Sequence, residues 1–159
     1  MRRRPATLAS LAAALAIAIA ACGSDQRQTP IACLEGAAAY LDALESAPGA
    51  VLLEGETPIS DCLVPDQEVG PQNTVGSAVV EAATKLNGEA LRKDGGDAAI
   101  QVGYLIGAVQ EGASETGGIH TDLVRRLDAA ARFSPDGEPL SASIERDLGV
   151  GYAAGQESG

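Results

Sequence analysis

The sequence predicts an all-α domain, a small antiparallel bundle of four to five helices with one long loop. Three observations carry this. Apolar residues recur three or four positions apart through most of the chain beyond residue 31. Clusters of Gly and Pro separate these stretches. The apolar set is mainly Ala, Leu, Val and Ile, with one Phe, three Tyr and no Trp. Such a core permits close helix packing and offers little stacking surface for sugars or bases.

The first helix begins near Ile31 to Leu34, with Leu34, Ala37, Ala38, Leu41 and Leu44 on one stripe, and Ala47-Pro48-Gly49 stops it. Residues 50–74 differ. They hold Pro58, Pro65, Pro71 and several glycines around the short runs Val51-Leu52-Leu53 and Cys62-Leu63-Val64. This reads as an ordered loop with room for a short extended segment, and it is the best candidate for a functional loop. The second helix reads from Thr74 to about Lys93, with Val75, Val79, Ala82 and Leu86 on one face. Asn87-Gly88 offers it an earlier left-handed end, and both endings stay open. Asp94-Gly95-Gly96-Asp97 is a turn, with Asp97 as N-cap of the next helix.

That third helix, Ala98 to about Ser114, is the most apolar part of the chain after the N-terminal run. Ala99, Gly103 and Gly107 place small residues along one edge. A glycine inside a helix costs about 1 kcal/mol against Ala, so a neighbouring helix backbone is expected to approach there. The fourth helix follows from His120 or Thr121 to Phe133, with Ile119, Leu123, Leu127 and Ala131 spaced by four and Asp122 set to pair with Arg126. Leu140, Ile144, Leu148 and Tyr152 give a weak fifth helix, interrupted by Gly149 and Gly151. The helical domain is placed at 31–155 and a disordered tail at 156–159.

The search for chemistry is mostly negative. The chain has one histidine, His120, and lacks the metalloprotease, phosphate-loop and nucleophile-elbow patterns. His120 is a weak catalytic candidate, with Ser114 or Thr116 near in sequence and Asp122 to orient it; the stronger expectation is a histidine at a helix N-terminus, bonded to backbone or a neighbouring Asp. Glu54, Glu56 and Asp61 are weak candidates to gather a cation, if the loop folds them together. The sequence implies no cofactor.

The N-terminus carries the sharpest signal. Arg2, Arg3 and Arg4 precede an uncharged apolar run from Thr7 to Ala21. That run matches the core of a signal peptide and is short of the roughly 20 residues of a membrane-spanning helix. Ile19-Ala20-Ala21-Cys22 resembles the lipobox of bacterial lipoproteins: a branched apolar residue, two small ones, then Cys. The resemblance covers residues 1–22; the rest of the chain resembles small bacterial lipoproteins only loosely. It implies cleavage before Cys22, a diacylglycerol on its thiol, and often a further acyl chain such as palmitate on its amine. Residues 1–21 are then the signal peptide and 22–30 a polar tether. The chain would be exported and held on the outer, or periplasmic, face of a cell membrane, since two or more acyl chains anchor firmly.

With Cys22 assigned to lipid, Cys33 and Cys62 remain as an even pair in an exported chain, and a disulfide is expected to pin the long loop. Closing a loop of about 30 residues stabilises by roughly 3–4 kcal/mol on the chain-entropy model. The spacing is not C-x-x-C and no histidine lies near, which disfavours a redox or metal pair.

Loss of Arg2, Arg3 and Arg4 takes the 11 basic residues to 8 against 22 acidic ones, a net charge of −14. Between Gln28 and Thr84 there is no Lys or Arg. This disfavours nucleic acid and anionic headgroups and favours a basic protein partner or a cation, although most charge runs simply solvate a face. The functional expectation is a membrane-anchored, non-catalytic module for a partner or ligand; the alternative is an extracytoplasmic hydrolase using His120. Replacing Cys22 by Ser is expected to move the protein from the membrane to the soluble fraction, and retention on membranes would refute the anchor.

Overall fold

The computed structural model describes residues 28–159, so Cys22, the arginines and the apolar run before it lie outside the described residues. Five helices dominate: α1 (Ala37–Leu44), α2 (Val69–Lys93), α3 (Asp97–Ser114), α4 (Thr121–Ala131) and α5 (Ala142–Ser158). Two 3₁₀ turns, Ile31–Leu34 and Ile59–Cys62, and one small hairpin complete the described elements. In the hairpin, β1 (Leu52–Leu53) pairs antiparallel with β2 (Thr57–Pro58). The domain is therefore mostly helical rather than purely so. The residues that pair are one of the short apolar runs of the long loop and the Thr-Pro that follows its turn.

Several boundaries differ from the sequence reading for identifiable reasons. The first helix is split, because Gly36 takes a positive φ of 86° between the 3₁₀ turn and α1. α2 starts at Val69, five residues before Thr74. Pro71 sits in its first turn, where the backbone N–H has no helical acceptor and proline costs nothing. The helix also runs through Asn87-Gly88 and ends instead at Asp94, in the left-handed region at φ 53°, with the Gly95 N–H bonded to the Ala90 carbonyl. Asp97 is the first helical residue of α3 and not its cap; the N-cap is Gly96, whose N–H donates to the Asp147 carboxylate of α5 at 2.7 Å.

The largest correction concerns α5. Gly149 and Gly151 do not interrupt it, and residues 156–158 continue it. At its end the Ser158 carbonyl accepts from the Tyr104 hydroxyl at 2.9 Å, and the Gly159 carbonyl accepts from Ser60. Gly151 and Gly155 are what let α5 dock. A Cβ on Gly151 would overlap the Ile100 carbonyl, and one on Gly155 the Tyr104 carbonyl. The relation is mutual, since a Cβ on Gly103 would overlap the Leu148 carbonyl and one on Gly107 the Tyr152 carbonyl. Residue numbers rise together along this seam, so α3 and α5 run parallel.

The same holds for α2 and α4: Gln72 meets Ile119, Gly76 meets Leu123, and Asn87 meets Phe133. The chain reverses at each tight turn, as an antiparallel arrangement requires, but the glycine seam joins parallel helices.

α3 lies at the centre, against α5 on one side and α2 and α4 on the other. Val102, Leu105, Ile106 and Val109 of α3 pack with Val75, Val79 and Leu86 of α2, Leu123 and Leu127 of α4, and Ile144 and Leu148 of α5. The N-terminal part adds Tyr40, Leu44, Val51, Leu53 and Ile59 to the same core. Tyr40 donates to the Cys33 carbonyl at 3.0 Å, and burial pushes its phenol pKa up.

Gly103→Ala and Gly151→Ala are each expected to destabilise by about 1–3 kcal/mol, the usual cost of overpacking. Gly149, which faces open space on the same helix, provides the contrast. Gly149→Ala is expected to stabilise by up to about 1 kcal/mol, because alanine loses less backbone freedom in a helix. Chemical denaturation of the three variants checks both signs.

Candidate functional site

The expected disulfide is present: Cys33 and Cys62 are bonded, with their Cα atoms 5.5 Å apart. Both residues are fully buried. The bridge joins the 3₁₀ turn at the start of the domain to the 3₁₀ turn after the hairpin, so it fixes the long loop against the point where the chain comes in. A formed disulfide of this kind belongs to an oxidising, extracytoplasmic compartment.

Beyond Cys62 the loop is held by one amide. Gln67 is buried, and its Nε2 donates to the Cys62 carbonyl at 3.0 Å and to the Thr29 hydroxyl at 2.6 Å. Those two bonds fix the amide's orientation, leaving Oε1 against Nε2 of His120 at 2.6 Å. Both amide hydrogens and the oxygen are thereby used. The arrangement links the incoming chain, the disulfide loop and the start of α4 through a single side chain.

His120 is only 1% exposed. Because Gln67 presents an oxygen, His120 Nε2 is the ring's donor, and Nδ1 of the neutral ring accepts from Thr116, 3.0 Å away. Thr116 also lies 2.8 Å from the Ala113 carbonyl. Burial disfavours the charged form and holds the pKa below the ordinary imidazole value.

The sequence-derived constellation around His120 does not assemble as a catalytic set. Ser114 is not its partner, and Asp122 turns instead to Arg126 at 3.3 Å and to Arg125. The Asp122–Arg126 pair is the one expected at that spacing. The histidine stands at the N-cap of α4 but bonds neither backbone nor an Asp; its partners are the side chains of Thr116 and Gln67. Gln67 was not singled out in the sequence; a lone Gln among loop prolines carries no local signature.

The loop acids do not converge either. Glu54, at a positive φ of 51°, and Glu56 flank the hairpin turn around Gly55. Asp61 sits in the following 3₁₀ turn and lines a different surface. Among the described residues no group of three His, Cys, Asp or Glu side chains is placed to hold a metal ion.

What the loop does build is a cleft of about 500 Å³ against the C-terminal end of α3. Gln28, Pro30, Ser60, Asp61, Leu63, Val64 and Pro65 form one wall, and Glu111, Gly112 and Glu115 the other. Gly112 is required where the walls meet, since a Cβ there would overlap the Ser60 carbonyl. Asp61, Glu111 and Glu115 are all exposed and take part in none of the ion pairs among the described residues. A smaller cleft of about 280 Å³ adjoins it, sharing Gln28, Val64 and Pro65 and reaching Gln67, Glu68 and Pro71. In comparisons with known proteins, no family model, curated protein or solved structure matches the chain.

The depressed His120 pKa sets a direction for stability against pH. The unfolded imidazole titrates near 6.5 and the folded one below it. Between those values the unfolded state binds more protons, so stability rises with pH. Stability is then expected to be fully present above about pH 6.5 and to fall as pH drops through the folded value. His120→Asn is expected to be less stable at neutral pH but to lose this slope, as read by denaturation midpoints across the acidic range.

Proposed function

We propose that the protein is a lipid-tethered envelope module that binds a cationic ligand or the basic segment of a protein partner, without catalysis. The observation that carries this reading is the cleft between the disulfide loop and α3, where three exposed carboxylates take part in no ion pair among the described residues. A concave surface lined by one sign of charge concentrates ligands of the opposite sign. The lipobox resemblance supplies the tether, and the disulfide agrees with an exported location. Among the described residues no helix is long and apolar enough to cross a membrane, so in this reading the lipid on Cys22 does the anchoring.

Hydrolysis through His120 draws no support from the geometry. A buried ring whose two nitrogens are bonded to Thr116 and Gln67 has no free edge for a substrate.

Titration with spermine, used as a polyvalent cation, tests the reading. Binding is expected to weaken as salt rises and to drop at least about tenfold, some 1.4 kcal/mol, in the variant Asp61→Asn, Glu111→Gln, Glu115→Gln. Equal affinity in that variant would sink the cleft as the site. In-cell cross-linking from Glu115 replaced by a photoreactive residue is expected to capture a basic envelope protein; capture of acidic proteins alone would count against it.

A further inference from the structure

Five large apolar residues are conspicuously exposed among the described residues: Ile31, Val69, Ile119, Phe133 and Val150. Single exposed apolar residues are ordinary. Three of these are set apart by their place in the hydrogen-bond network. Ile31 lies two residues after Thr29, Val69 two residues after Gln67, and Ile119 just before His120, and Thr29, Gln67 and His120 are bonded in series. The Ile119 carbonyl also accepts from Gln72 of α2 at 3.0 Å. Three separate segments thus carry branched apolar side chains, 77%, 70% and 40% exposed, within two residues of a network that includes Thr29, where the chain comes in from its N-terminal side.

Cys22 stands six residues before Gln28. Six extended residues reach at most about 20 Å, so a lipid on Cys22 would hold this end of the domain, and no other, at the bilayer. We infer that Ile31, Val69 and Ile119 form a membrane-facing foot that rests in the headgroup region of the bilayer carrying the Cys22 lipid. This rests on the lipid-anchor reading. A short tether and an apolar contact act together, because the tether makes the contact intramolecular and fixes its effective concentration. The surrounding charge is mixed: Asp66 and Glu68 stand next to Gln67 and Val69 in the chain, Arg27 belongs to the tether, and Arg126 of α4 packs against Gly76 of α2. Docking in this way would also set the orientation of the acidic cleft, whose wall includes Gln28 and Pro30 beside the tether.

The opposite end provides a control. The Phe133 carbonyl is bonded to Asn87 of α2, about 27 Å further along that helix than Val69 at 1.5 Å per residue. Phe133 is expected to stay in water.

The test uses the full chain purified from its own membranes and placed in phosphatidylcholine vesicles. Ile31→Cys, Val69→Cys, Ile119→Cys and Phe133→Cys are labelled one at a time with an environment-sensitive fluorophore; Cys33 and Cys62 are bonded, and Cys22 carries lipid in this reading. Brominated lipid is expected to quench the probes at 31, 69 and 119 at least twofold more than the probe at 133. Equal quenching at all four positions, in protein that floats with the vesicles, would overturn the foot and leave the anchor standing. Probes at 31, 69 and 119 already shielded without vesicles would give the patch to a protein surface and also overturn it. A chain that does not float, with a mass lacking lipid, would remove the anchor and the foot with it.

Discussion

The structure depends on backbone-to-backbone contact between α3 and α5. Four glycines, Gly103 and Gly107 on one helix and Gly151 and Gly155 on the other, let the two backbones touch where any Cβ would collide with a carbonyl. At this distance Cα–H groups face carbonyl oxygens, and the contact rests on dispersion and weak Cα–H···O bonds. α3 keeps its remaining faces for the larger side chains of α2 and α4. A central helix with a close neighbour on one side and a leucine- and valine-rich core on the other organises the whole domain. Tyr104 of α3 shows the result at one residue. Its hydroxyl donates to the Ser158 carbonyl of α5 and accepts from the Val51 N–H of the loop at 3.3 Å.

The second organising constraint is covalent. The Cys33–Cys62 bridge makes the stretch between α1 and α2 part of the core rather than a surface excursion, with Val51, Leu53 and Ile59 fully buried. Gln67 then extends the effect by bonding onward to Thr29 and His120. Loop, incoming chain and α4 are joined by neutral hydrogen bonds in a buried setting, where each such group is costly to leave unpaired. The acidic cleft is an outcome of this: its walls are fixed by the bridge on one side and by α3 on the other. Among the described residues Asn87 is the one buried exception, for its Oδ1 has no partner while its Nδ2 holds the Phe133 carbonyl at 2.7 Å.

Much of this fold was legible in the sequence, and the failures are physical. Val75, Val79, Ala82 and Leu86 sit in the core as their spacing predicts. The glycines of α3 were correctly read as a place for another backbone. The partner was missed because Gly149 and Gly151 looked like helix breakers, which their propensity alone makes them. The informative pattern was the longer one, Gly151 to Gly155 to Gly159 at four-residue intervals, the counterpart of Gly103 to Gly107. The prolines and glycines of residues 50–74 together suggest loop as far as Thr74, although Pro71, in the first turn of α2, is harmless to a helix. The candidate site was less legible. The disulfide followed from cysteine counting, but the cleft draws Asp61 from the loop and Glu111 and Glu115 from α3, which only the tertiary fold brings together.

The α3–α5 seam also bears on the order in which the molecule assembles. Its partners are roughly 50 residues apart in the chain, and contacts at such separation must wait for loop closure between them. The disulfide loop, the hairpin and the α2–α3 reversal all lie on the N-terminal side of α5 and can form on a chain that has not yet delivered residues 142–158. α5 is therefore the closing piece. A nascent or translocating chain lacking it would expose the bare glycine edge of α3, a strip too narrow to bury much apolar area yet open to any passing helix with small residues at the same interval.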